Sequence, residues 1–151
     1  MQNFQTQQAP QPLGDGTYGL FNFVDEKTEV PLIETVGDAG KYVGAALAHP
    51  DKYAGKVFYA ATEIKSLKEI AETMSKVSGK NVKYVQIPRE KMEGFMPEIM
   101  AKRICDMWLW MQEFGYYGPD TRERVKWTGE QARGKLTTFE EYLRENPLNL
   151  E

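Results

Sequence analysis

Three glycines and a lysine crowd into ETVGDAGKYVGAAL, residues 34–47, a composition that suits a loop wrapped around phosphates. The Walker-type loop needs G-x-x-x-x-G-K-[ST]: its backbone N–H groups ring the phosphates, and its hydroxyl reaches magnesium. Gly40 and Lys41 supply the G-K. The first glycine position, however, holds Thr35, and the hydroxyl position holds Tyr42, too bulky to ligate magnesium there. The dinucleotide fingerprint G-x-G-x-x-G also fails, because Gly37, Gly40 and Gly44 are spaced three and four apart. The glycines therefore read as packing and turn devices. Gly37 allows a tight entry, and Gly40 and Gly44 share a helix face on which another element can approach closely.

Other candidate chemistry is sparse. The serines are Ser66, Ser75 and Ser78, none in a G-x-S-x-G elbow. Cys105 lies midway along an apolar helical stretch and reads as a core thiol. His49 stands beside Pro50 at a helix end, where a cation helps the helix dipole. Pairs such as Asp25-Glu26 and Glu140-Glu141 read as solvated. No tyrosine is followed four residues on by lysine, so that proton-transfer pair is missing from this chain. No catalytic residue and no metal ligand is assigned. One cluster stands out: Met92, Phe95, Met96, Met100, Met107, Trp108, Trp110 and Met111 lie within twenty residues. Methionine adapts to irregular partners. Core packing is one reading. A pocket or interface formed by Met96, Met100, Met107, Trp108, Trp110 and Met111 is the other.

The elements that would position these residues follow from composition and periodicity. The 151 residues suit one domain, and 41% apolar with 12% aromatic content argues against disorder. A net charge of −3, with its cations scattered, offers no field for nucleic acid. No apolar run reaches membrane-spanning length and the first residues carry no signal-peptide pattern. A single cysteine suits a reducing compartment. The expected location is the cytoplasm, with the nucleus as alternative.

Residues 1–16, rich in Gln, Pro and Gly, read as an irregular arm ending at Gly14-Asp15-Gly16. TYGLFNFV reads as a strand and TEVPLIE as a second short extended stretch. Asp38 is expected to cap a helix whose apolar face is Tyr42, Val43, Ala46 and Leu47. GKVFYAA, residues 55–61, reads as a buried parallel strand. Ser66 and Glu69 form a capping box, and Gly79 closes the helix it opens. NVKYVQIP follows as a strand. Strand, helix and strand make a crossover, hence an α/β class. The last third is mainly helical: Pro97 opens a helix with the stripe Met100, Ile104, Met107, Trp108, Met111 and Phe114, and Gly115 ends it. Thr138 and Glu141 form a second capping box, and Pro147 stops the final helix.

The order of these pieces resembles the C-terminal half of NmrA-like proteins, atypical short-chain dehydrogenase/reductase relatives. The likeness runs through MQNF, GLFNFVDEKTEVPLIETVGDAGKYVGAAL, HPDKYAGKVFYAA, VKYVQIPREKMEGF and LTTFEEYLREN, and is strongest at PLIETVGDAGKYV. It implies the C-terminal part of a Rossmann-like NAD(P)-binding fold, with residues 17–151 as a mainly helical substrate lobe and the N-terminal nucleotide-binding half absent. It implies NADP or NAD for the full-length family and no cofactor for this chain alone. Asn3 and Phe4 match a stretch near the nicotinamide end in relatives, so they are expected to touch cofactor only with the other half in place. The implied function is NAD(P)-sensing, redox-linked regulation of transcription through protein contacts. Alternatives are the substrate lobe of an NAD(P)-dependent reductase of quinones or phenolics, and a stand-alone interaction module. The expected partner is a protein or a second copy, with a small-molecule substrate as a further option; direct nucleic-acid and membrane contacts are not expected. Trp108, Trp110 and Met111 are the residues expected to drive self-association.

Overall fold

A computed structural model describes residues 1–150; Glu151, the last residue of the expected lobe, lies outside them. The described strands are β1 (Gln11–Pro12), β2 (Tyr18–Asn22), β3 (Glu29–Leu32), β4 (Glu63–Ser66) and β5 (Val82–Gln86). The helices are α1 (Thr35–Ala48), α2 (Pro50–Tyr53), α3 (Leu67–Ser78), α4 (Arg89–Glu93), α5 (Glu98–Phe114), α6 (Thr121–Gln131) and α7 (Phe139–Glu145). β2 and β5 pair in parallel from Tyr18↔Val82 to Asn22↔Gln86, and β1 adds to the other edge of β2, antiparallel. β3 and β4 form a separate antiparallel ribbon. The fold is thus α/β with a mixed sheet, as the sequence pattern predicts.

Both capping boxes form. Ser66 and Glu69 exchange bonds at the start of α3, and Thr138 and Glu141 do so at the start of α7. Gly79 ends α3 with φ +69°, a conformation that costs glycine little. α3 then packs its buried Leu67, Ile70, Ala71 and Met74 against β5 and α7. Leu20, Phe139 and Leu143 complete this core.

The arm is more ordered than its composition suggests. Gln2–Gln5 form a 3-10 turn, and Gln11–Pro12 are β1. Phe4 is buried, its ring edge-on to Phe139 at 5.6 Å. The Met1 ammonium donates to the Ile33 carbonyl at 2.8 Å. The arm's Met1 and Phe4 are thereby part of the main core.

The 34–47 stretch departs from expectation in three ways. Glu34, not Asp38, caps α1: its carboxylate accepts from the N–H groups of Val36 and Gly37. Asp38 sits a turn further in, with no exposed surface. It accepts from Lys41 Nζ at 2.7 Å, Thr137 N at 2.8 Å, Thr137 Oγ1 at 3.2 Å and Thr62 Oγ1 at 3.3 Å. With Asp38 turned inward, the buried stripe becomes Asp38, Tyr42 and Ala45. Val43 and Leu47 are carried to the outside, 57% and 76% exposed. Gly40 also faces outward: a Cβ there meets nothing within 4 Å, so no element approaches it.

GKVFYAA is not a strand. Residues 56–61 join neither sheet, and Val57 is 61% exposed. Side chains take the place of a neighbouring strand. Thr128 Oγ1 accepts from Tyr59 N at 3.0 Å, and Tyr42 Oη donates to the Ala61 carbonyl at 2.9 Å. Phe58 packs edge-on against Tyr53 and Trp127. The parallel partner of β5 is therefore β2, and the crossover between them is long, carrying β3, α1, α2, β4 and α3.

Two stability outcomes follow. Burial pushes the Asp38 carboxyl up, but the Lys41 ammonium and the Thr137 bonds outweigh it and hold it below its ordinary value of 3.8. A depressed folded value means stabilisation that is full above the unfolded value and lost as pH falls through the folded one. Asp38→Ala strands a buried donor and should cost about 3 kcal/mol in urea unfolding at neutral pH. The deficit should shrink below about pH 4; a deficit independent of pH would contradict the charge. Gly40→Ala, in an exposed helix interior, should stabilise by about 0.5–1 kcal/mol. Destabilisation in the same assay would mean that the glycine is packed.

Candidate functional site

A large apolar concavity lies where the arm, β2, the turn after α4 and the start of α5 converge. Alternation along β2 sends Leu20 into the core and Phe21 to the opposite face. Gly19 shares that second face. A Cβ there would sit 2.9 Å from the Phe21 ring and 3.1 Å from Val85 Cγ2, so the missing side chain lets the ring lie back along the strand. Pro88 opens α4 and Pro97 opens α5, leaving a tight turn at Gly94-Phe95-Met96. That turn brings Met92, Phe95 and Met96 opposite Met100, Ile104 and Trp108. Arg89 brackets the two helices, its guanidinium donating to Glu93 at 2.7 Å and to Asp106 at 3.0 Å.

The resulting groove has a volume of about 610 Å³, and the Gln7, Gln8 and Gln11 side chains stand at its polar edge. No titratable side chain lines it. The groove therefore suits a neutral, largely apolar molecule oriented by a few amide hydrogen bonds, and it has no group to give or take a proton. Cys105 lies behind its wall, fully buried; burial pushes its thiol up, which keeps it protonated and inert. No group of three or more metal-ligating side chains occurs among the described residues. None of the described helices is long and apolar enough to cross a membrane.

Of the candidates named from sequence, Met96, Met100 and Trp108 meet in this groove. Met111 is buried in the main core. Met107 and Trp110 face outward, Trp110 58% exposed and stacked at a tilt on Phe114. Asn3 is exposed on the 3-10 turn, whereas Phe4 is spent on packing against Phe139. Sequence reasoning missed Phe21 and the glutamines. The G-x-F spacing at Gly19 and Phe21 was the available signal for the ring. The glutamines gave none, because the arm's composition looks unstructured.

The sequence model of the NmrA-like family matches residues 1–143. An NmrA-like family domain-containing oxidoreductase, cpsB, of Aspergillus campestris is 32% identical over 75 residues, 49% of this chain and 22% of that protein. Among solved structures, the negative transcriptional regulator NmrA in a monoclinic form superposes with a TM-score of 0.71 at 18% identity, over 89% of this chain and 44% of that one. Its trigonal form, in complex with NAD, gives 0.66 at 18% identity with the same coverage. A nucleoside-diphosphate-sugar epimerase from Staphylococcus aureus gives 0.57 at 19% identity, over 82% of this chain and 43% of that one. At such identities the likeness speaks for the fold, which is Rossmann-like. The chain spans less than half the length of these proteins. A share of length does not say which part is matched, so placement in the C-terminal half alone is not borne out.

The groove can be probed directly. Nile red, a neutral apolar dye, should brighten saturably with this protein and quench Trp108. Met100→Glu, which puts a charge in the wall, should weaken that binding by about tenfold or more. Trp110→Ser, outside the groove, should leave most of it intact. Equal losses in both variants would place the dye elsewhere.

Proposed function

The chain belongs to the NmrA-like family, and on that premise we propose that it does regulatory rather than catalytic work, through protein contacts, in a protein that senses NAD(P). The observation that carries this reading is the groove itself: it is large enough for a ligand and has no titratable group in its lining. Reduction of a quinone or carbonyl needs a proton delivered to the reacting oxygen, and these walls hold no donor suited to that. NmrA, described as a negative transcriptional regulator and as a complex with NAD, supports the link to cofactor sensing. Such a regulator works in the cytoplasm or the nucleus.

The residues present at the glycine-rich stretch do not fit a dinucleotide. A pyrophosphate needs free N–H groups at a helix N-terminus after a glycine turn. At α1 those N–H groups are taken by Glu34, and its negative charge repels a phosphate. The starts of α3 and α7 are likewise closed by Glu69 and Glu141. Cofactor held by the protein must therefore rest on residues other than these.

A second reading, the substrate lobe of an NAD(P)-dependent reductase of quinones or phenolics, is favoured by the groove's volume. The oxidoreductase name of the Aspergillus relative points the same way. Turnover separates the two. NADPH oxidation with a simple quinone should not rise with protein concentration. Oxidation that scales with the protein and is lost in Met100→Glu would replace the regulatory reading with the reductase.

A further inference from the structure

α5 has two apolar faces, and the fold uses one. Ala101, Cys105, Trp108 and Met111 point into the molecule. At about 100° per residue, Met107, Trp110 and Phe114 fall on a second seam, together with Arg103. They are 45%, 58% and 44% exposed, and Ile99, on the same side, is 80% exposed. The spacing 103, 107, 110, 114 alternates four, three and four, the repeat with which one helix packs along another.

The charges beside the seam are equally without partners. Lys102, Arg103 and Glu113 are exposed, and none of them forms an ion pair among the described residues. Their order is unfavourable for a lone helix. The cations sit in its first half, and Glu113 sits in its last turn, beside the negative end of the dipole. A second α5 laid antiparallel reverses both faults. With the crossing near Met107, Lys102 of each copy comes within one residue of level with Glu113 of the other, on the same flank. Arg103 then comes within one residue of level with Trp110, in reach of a cation–π contact, and so does Phe114 with Ile99. Each negative helix end lies beside a positive one.

We propose that α5 is a self-recognition surface on which two copies of this chain pair as an antiparallel, two-fold symmetric helix dimer through Met107, Trp110 and Phe114. The pairing requires only this face and holds whether the protein is a regulator or a reductase. A helix of 17 residues is about 25 Å long, so the buried surface falls at the low end of specific interfaces, and the dimer is weak.

Sedimentation equilibrium from low micromolar to near-millimolar protein tests this. The chain should pass from monomer to dimer with a dissociation constant in the micromolar range or weaker. Trp110→Ser, at an exposed position, should leave the circular dichroism unchanged and raise that constant by about tenfold or more. Lys102→Glu and Glu113→Lys should each weaken the dimer, and the double variant should recover most of the loss. Four outcomes would overturn the proposal: a monomer throughout the range, association beyond a dimer, a dimer indifferent to Trp110→Ser, or charge reversals that fail to compensate.

Discussion

Asp38 is the knot on which the fold depends. One carboxylate at the end of the first turn of α1 receives four hydrogen bonds, from Lys41, from Thr62, and from both the backbone and side chain of Thr137. Thr137 precedes the cap of α7, and Thr62 precedes β4. Fixing those two residues sets where each element begins. Phe139, the first residue of α7, donates its N–H to Glu63 at 2.6 Å and presses its ring against Phe4. The arm, α1, the β3–β4 ribbon and α7 are thus brought into register around one buried charge. A hydrophobic residue of similar size would fill the volume but leave the Thr137 N–H without a partner, so the charge supplies direction as well as energy.

What was legible in the sequence is what depends on local chemistry. A Ser or Thr with Glu three residues on can bond the helix start in one way, and both capping boxes form as read. Gly79 ends its helix for the same local reason. GKVFYAA misled because β propensity reports a preference for a pleated, half-buried surface. Here Thr128 and Tyr42 satisfy the backbone without a sheet, and that arrangement depends on residues far away in the chain. Asp38 was misread for a similar reason. An acid near a helix start reads as a cap unless a distant Thr137 is known to draw it inward. α6 went unread because its buried residues are Thr121, Val125 and Thr128, two of them polar, so its apolar stripe is faint.

The Met- and Trp-rich helix shows where composition reaches its limit. Its width was visible: more apolar residues than a single packed face requires. Its division was not. The core takes Trp108 and Met111, the groove takes Met100 and the edge of Trp108, and the outer seam keeps Met107 and Trp110. Three surroundings around one helix cannot be separated by a periodicity that only counts apolar positions. They are set by what the arm and the Gly94-Phe95-Met96 turn cover, and neither segment has a pattern of its own.

The groove and the outer seam are built on the same helix, α5. Arg89 locks α4 to α5 through Glu93 and Asp106, and Met100 in the groove wall lies less than one turn from Arg103 on the seam. Where two binding surfaces are built on one helix, any ligand that alters its position changes the affinity of the other surface, and thermodynamic linkage makes the effect reciprocal. A packed helix moves as a unit rather than bending locally, because close-packed side chains resist a change at one turn alone.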